Sequence, residues 1–242
     1  MVDLIRESMS GKVAVILGVG PGQGISTVRM FINFGAKVAI VSRTGNTFGL
    51  VESSTIKAYK ADVTNENELQ IIRDKIIGDY GSISFVISNI GKWQPPRGTF
   101  PGKTEFEEMI RVNLGTHVSV MKIFSESLKA KGGSFVLVGA SRGLFKNNDL
   151  AYSVSKSGIE ELVRKGAEML RKYNIRVNGI LPGSVGKEDT YYKTFPFNVT
   201  KFSEKTELEP IEVAMTSSFL ASEMALGING QCIAVDRGLS TF

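Results

Sequence analysis

Short, almost uninterrupted apolar runs alternate along this chain with longer stretches in which apolar residues recur every three or four positions. The runs fall at 13–17, 38–41, 56–61, 83–88, 134–138, 175–181 and 231–235. Most are continuously apolar, as expected of parallel strands covered on both faces. Between them, helical periodicity covers 25–34, 66–79, 105–131, 151–173 and 210–221. Strand and helix in repeated alternation predict an α/β fold, a doubly wound parallel sheet of Rossmann type with about seven strands. No linker, internal repeat or low-complexity tract interrupts the 242 residues, so one domain spanning 1–242 is expected.

Two stretches depart from the alternation. Residues 42–55 leave room for only a short helix between the second and third strands. Residues 184–209 have no clean period but carry Tyr191, Tyr192, Phe195 and Phe197. A loop of that length inside a compact domain usually covers or lines a ligand site, so a substrate lid is expected there.

Composition narrows the class. Hydrophobic residues at 42% and charged residues at 22% are ordinary for a globular protein and exclude whole-chain disorder. No apolar run approaches the roughly 18 residues of a membrane span, and MVDLIRESMSGK lacks the basic start and apolar core of a signal peptide. The single cysteine, Cys232, excludes an intrachain disulfide framework and fits a reducing, cytoplasmic setting. The net charge of +5 is spread without a basic block, which argues against nucleic acid and suits an anionic small molecule. One histidine and one cysteine make no metal-ligand cluster. Cys232 sits in an apolar run and reads as core; His117 reads as a helix-face or subunit-contact residue. Trp93 and the Pro95-Pro96 turn either wall a substrate pocket or cap a loop.

Open α/β sheets bind ligands beyond the carboxyl ends of their strands, so the candidates lie just past each run. After the first comes Gly18-Val-Gly-Pro-Gly22-Gln23-Gly24-Ile25, leading into a helix. Glycines let the backbone turn tightly and approach a pyrophosphate, to which the helix start offers unpaired N–H groups. The second run ends in Ser42-Arg43, with no acid between Lys37 and Val51. A basic residue here suits a 2′-phosphate where an acid would suit a ribose diol, so NADP is expected over NAD. Asp62-Val63 follow the third run, Asn89-Ile90-Gly91 the fourth, and Pro182-Gly183 and Val185 the sixth. Tyr152 and Lys156 follow the fifth, four residues apart on one helix face. An ammonium near a phenol favours the phenolate, which a proton donor and acceptor needs.

These segments, in this order, resemble the short-chain dehydrogenase/reductase family, and within it members like the 3-oxoacyl-carrier-protein reductases. The resemblance runs from Gly11 to Leu239 and includes Val112-Asn113 and the stretch from Glu209 to Gly238. It implies that Asp62 binds the adenine amino group and that Asn89 and Gly91 border the adenosine ribose. Lys156 would bind the nicotinamide ribose hydroxyls, with Pro182, Gly183 and Val185 beside the nicotinamide. Asn113 would hold a proton-relay water, and Tyr152 would exchange a proton with the substrate oxygen. The implied activity is NADP(H)-dependent interconversion of an alcohol and a ketone or aldehyde on a small molecule. Pairing of helices 105–131 and 151–173 between copies would give a homo-oligomer, a tetramer or dimer.

The family's serine falls thirteen residues before the tyrosine, where this chain has Gly139. Ser141, two residues on and on the same side of an extended chain, is the nearest candidate for the missing oxyanion donor. If nothing replaces the hydroxyl, the alternative is a catalytically impaired nucleotide-binding relative that acts as a sensor or interaction subunit.

Overall fold

The structure is a computed structural model and describes residues 2–95, 98, 100–187 and 207–241. Its frame is a parallel sheet of seven strands: β1 Val13–Leu17, β2 Lys37–Ser42, β3 Ile56–Lys60, β4 Phe85–Ser88, β5 Gly133–Val138, β6 Ile175–Pro182 and β7 Cys232–Val235. The order across the sheet is β3-β2-β1-β4-β5-β6-β7. Succession therefore reverses direction between β1 and β4, and a crevice opens beyond their carboxyl ends.

Among the described residues the α-helices are α1 Val2–Met9, α2 Gln23–Asn33, α3 Glu66–Tyr80, α4 Lys103–Ile110, α5 Thr116–Leu128, α6 Leu150–Leu170 and α7 Pro210–Ala221. The central strands β1, β4 and β5 are largely apolar because each feeds two cores, whereas edge strand β3 carries Lys57 and Lys60. In β1, Val13, Val15 and Leu17 face α3, α5 and α6, while Ala14 and Ile16 face α1, α2 and α7.

Three local features differ from the expectation. No helix is described between β2 and β3; that crossover is held by turns, with Phe48 N–H on the Asn46 side chain and Gly45 N–H on the Ser42 hydroxyl. The N-terminal helix α1 is an addition, docked through buried Ile5 and Met9. The single helix expected over 105–131 is two, joined by a wide turn at Arg111–Gly115. There the Thr116 N–H reaches back five residues to the Arg111 carbonyl, which the Thr116 hydroxyl also contacts at 3.2 Å. Such π-turns rotate one residue off the regular helix face, and here buried Asn113 lies at its centre. No described helix is long and apolar enough to cross a membrane.

Candidate active site

The glycine turn after β1 is shaped by close backbone approach. Gly18 has φ +75°, and a Cβ there would lie 2.6 Å from the Asn89 carbonyl oxygen. Gly22 has φ +77°, and its Cβ would lie 2.9 Å from the Gly186 carbonyl oxygen, so the turn after β6 is packed against it. Gly24 allows α2 to start against Val19 and the Asn89 side chain. Ile25 is buried in the core behind the turn and backs it from there.

Two cavities open on this rim and share Asn89, Ile90, Gly91, Lys92 and Trp93. One, of about 590 Å³, is bordered by Gly18, Val19 and Gly20, by Ser42 and Arg43, and by Asp62 and Val63. The other, of about 540 Å³, is bordered by Gln23, Gly139, Tyr152, Lys156 and the Pro182–Val185 turn. The Gln23 amide donates to Asn89 Oδ1 where the two meet. Together they form one groove across the crevice between β1 and β4.

Charge is distributed unevenly along it. Asp62 accepts bonds from the Thr64 N–H and hydroxyl, which hold its carboxyl below the usual range against the opposing effect of burial; Arg43 and Arg111 add to this. At the other end, burial pushes Tyr152 up to about 12 and Lys156 down to about 8. The sequence suggests that the ammonium lowers the phenol; in this structure burial raises it instead. Lys156 Nζ donates to the Ile90 carbonyl, just past β4, at 3.1 Å and to the Val138 carbonyl, at the end of β5, at 3.2 Å.

Two candidates do not reach the groove as expected, and His117 is placed differently too. Ser141 is fully buried; its hydroxyl donates to Asp236 Oδ2 and accepts from the Gly143 N–H at 3.2 Å. Burial works against the Asp236 carboxylate, but Ser141, Ser240 and Gly238 hold it ionised, so the Ser141 hydroxyl ties the chain after β5 to the turn after β7. Ser141 is thus not placed to serve as the oxyanion donor. The Asn113 amide spans the Lys92 backbone, taking its N–H at 2.6 Å and donating to its carbonyl at 2.9 Å, and reaches Ser155 Oγ at 3.2 Å. It shapes the turn after β4 from behind. His117, expected on an exposed helix face or at a subunit contact, lies on the buried face of α5 and is wholly interior.

The structure also decides between the two readings of Trp93 and adds further residues. Trp93 Nε1 donates to Asn148 Oδ1 at 2.5 Å, linking two loops at the cavity that holds Tyr152. Trp93 therefore walls this cavity. Arg111 enters the other cavity from the π-turn, and Lys187 and Leu144 line the Tyr152 end. Nothing in local spacing marks Arg111 or Leu144, because tertiary packing alone brings them to the rim. The aromatics of the expected lid, Tyr191 to Phe197, lie outside the described residues, as does Pro96. The loop's described ends are paired, Gly186 N–H to the Leu208 carbonyl at 2.9 Å and Leu208 N–H to the Ser184 carbonyl at 2.7 Å.

A parallel sheet reversing between β1 and β4, with a glycine turn facing a rim groove, is the architecture of a dinucleotide-fold protein. The family model described as enoyl-(acyl carrier protein) reductase matches residues 18–240, and the chain belongs to the short-chain dehydrogenase/reductase family of oxidoreductases. It is 30% identical to short-chain dehydrogenase reductase 3a of Arabidopsis thaliana, covering 96% of each chain. It is 28% identical to the 3-oxoacyl-(acyl-carrier-protein) reductase of Thermotoga maritima, covering 96% of this chain and 98% of the relative. The fold matches that of a short-chain dehydrogenase/reductase from Burkholderia xenovorans with a TM-score of 0.81 and 21% identity, over 97% of this chain and 98% of the other.

Proposed function

We propose that this protein is an NADP(H)-dependent oxidoreductase that interconverts an alcohol and a ketone or aldehyde, with Tyr152 as the acid/base. The observation that carries this reading is the single groove formed by two cavities that meet at Asn89–Gly91, with Tyr152 and Lys156 at one end and Arg43 at the other. The residues present fit a dinucleotide. Gly18 to Gly20 bare their backbone to the groove, and a Cβ at Gly91 would lie only 3.0 Å from Lys156 Nζ.

In this reading Gly18, Gly22, Gln23 and Gly24, with Ile25 behind them, hold the pyrophosphate at the start of α2. Ser42 and Arg43 take the 2′-phosphate, Asp62 and Val63 the adenine, and Asn89 and Gly91 the adjoining ribose. Lys156 holds the second ribose, and Pro182, Gly183 and Val185 border the nicotinamide. When bound, the cofactor supplies or accepts the hydride. Tyr152 donates its proton to the carbonyl oxygen in reduction and takes it back in oxidation. Burial pushes the phenol up to about 12, so at neutral pH it carries the proton that the carbonyl oxygen takes up in reduction. Asn113 supports this end by fixing the Lys92 turn. Leu144, Trp93 and Val185 make an apolar wall that suits a carbonyl compound with an apolar body. Val118, Leu150, Val154 and Met169 on α5 and α6 are exposed and suit self-association of this single-domain chain in the cytoplasm.

The missing hydroxyl at Gly139 favours a second reading, a nucleotide-binding sensor with little turnover. The experiment that separates them is incubation with NADPH and a panel of ketones and aldehydes, followed by absorbance. Consumption with at least one member supports the enzyme. Tight NADPH binding without consumption supports the sensor.

A further inference from the structure

His117 bridges two elements from inside the protein. Its Nδ1 lies 2.7 Å from the Ser88 hydroxyl at the end of β4, and its Nε2 lies 3.2 Å from the Ile90 carbonyl oxygen. A carbonyl oxygen only accepts, so Nε2 carries the proton, and the Ser88 hydroxyl donates to Nδ1. One tautomer satisfies both partners. The Ile90 carbonyl also accepts from Lys156 Nζ at 3.1 Å, so its two lone pairs are divided between the imidazole and the ammonium.

We propose that His117 is a positioning residue: through the Ile90 carbonyl that it shares with Lys156, it fixes where the ammonium sits and limits how tightly that carbonyl holds it. The Nε2–H draws on the carbonyl's electron density and so weakens the competing bond to Lys156. Without that donor, the carbonyl is left wholly to the ammonium, which favours the charged form. Burial, and then the Lys156 charge, push His117 itself down to about 3, so it stays neutral and acts as a fixed dipole. The ionisable groups around Lys156 are His117 from α5, Tyr152 from its own helix, and Lys92 and Lys187, which line the same cavity from the turns after β4 and β6.

This role rests on the reading of Lys156 as a cofactor-holding residue, but Lys156 can be titrated without turnover. The test is NMR of protein carrying ¹³Cε-lysine, with the Lys156 signal assigned through Lys156→Arg. His117→Leu and the double variant Ser88→Ala/His117→Leu are expected to raise the Lys156 midpoint by about half a pH unit or more. His117→Gln should keep it near wild type, because its amide can donate to Ile90 and accept from Ser88. The double variant leaves no orphaned hydroxyl, so it separates positioning from simple destabilisation. Leucine variants that fold but titrate like wild type would overturn the role. Should both fail to fold, His117→Met, a further variant without the donor, is titrated in their place, and an unmoved midpoint there overturns the role equally. A shifted midpoint in a protein that turns over no carbonyl would remove the oxidoreductase reading and leave the positioning role standing.

Discussion

The Ser141 hydroxyl is committed to Asp236 in a buried pair, so its loss should be felt in stability before chemistry. Ser141→Ala removes a hydrogen bond to a charged group and is expected to cost about 1.5–3 kcal/mol. Urea denaturation reads this, while kcat should stay within a few-fold of wild type. A folded variant whose kcat falls about 10²–10³-fold would restore Ser141 to the oxyanion role. Gly139→Ser is the complementary change. Its Cβ would stand 2.7 Å from Leu181 Cδ2, the movable end of a side chain, on the side of the sheet where Ile159 of α6 lies. With Leu181 displaced, the added hydroxyl is expected to raise turnover of a simple ketone. At this scale the sequence told residue types well and placements poorly. Tyr152, Lys156 and Arg43 border the groove, a placement legible in the sequence because each follows a strand end. The commitment of Ser141 to a residue 95 positions away was not, since no local pattern encodes it.

The element that distinguishes the two ends of the groove is the glycine turn. Gly22→Ala forces a Cβ into positive φ and against the Gly186 carbonyl, so the turn must shift. We expect at least a tenfold loss of affinity for both NADPH and NADH, read by fluorescence titration. Arg43→Ala should instead weaken NADPH alone, by roughly 10–100-fold, since a charge-assisted bond to the 2′-phosphate is worth about 1.5–3 kcal/mol. Equal losses for both cofactors would remove Arg43 as the determinant. The strands were readable almost to the residue, because burial on both faces leaves continuous apolar runs; β1 and α7 match the expected 13–17 and 210–221. The break at Arg111–Gly115 was hidden because a π-turn keeps helical composition and only its hydrogen bonding differs. The crossover without a helix is not legible in the sequence because its turns are held by side chains such as Asn46 and Ser42.

For the whole molecule, burial of His117 makes stability depend on pH. Its folded value, about 3, lies below its unfolded value near 6.5, so the unfolded chain binds an extra proton between them. The contribution is complete above about pH 6.5 and is lost as pH falls towards 3. Its slope in mid-window is roughly 1.4 kcal/mol per pH unit. Carboxylates, with unfolded values near 4, dominate only lower down. Urea denaturation of His117→Gln between pH 6 and pH 5 should therefore show a shallower decline than wild type, and parallel declines would contradict this account. The central claim concerns Tyr152, and single-turnover hydride transfer tests it most directly. Wild type and Tyr152→Phe, both loaded with NADPH, are mixed with a ketone that the wild type reduces. The account predicts a rate lower by about 10²–10⁴-fold in the variant, with NADPH affinity nearly unchanged because only one hydroxyl is lost. A Tyr152→Phe variant that keeps most of the wild-type rate would contradict it.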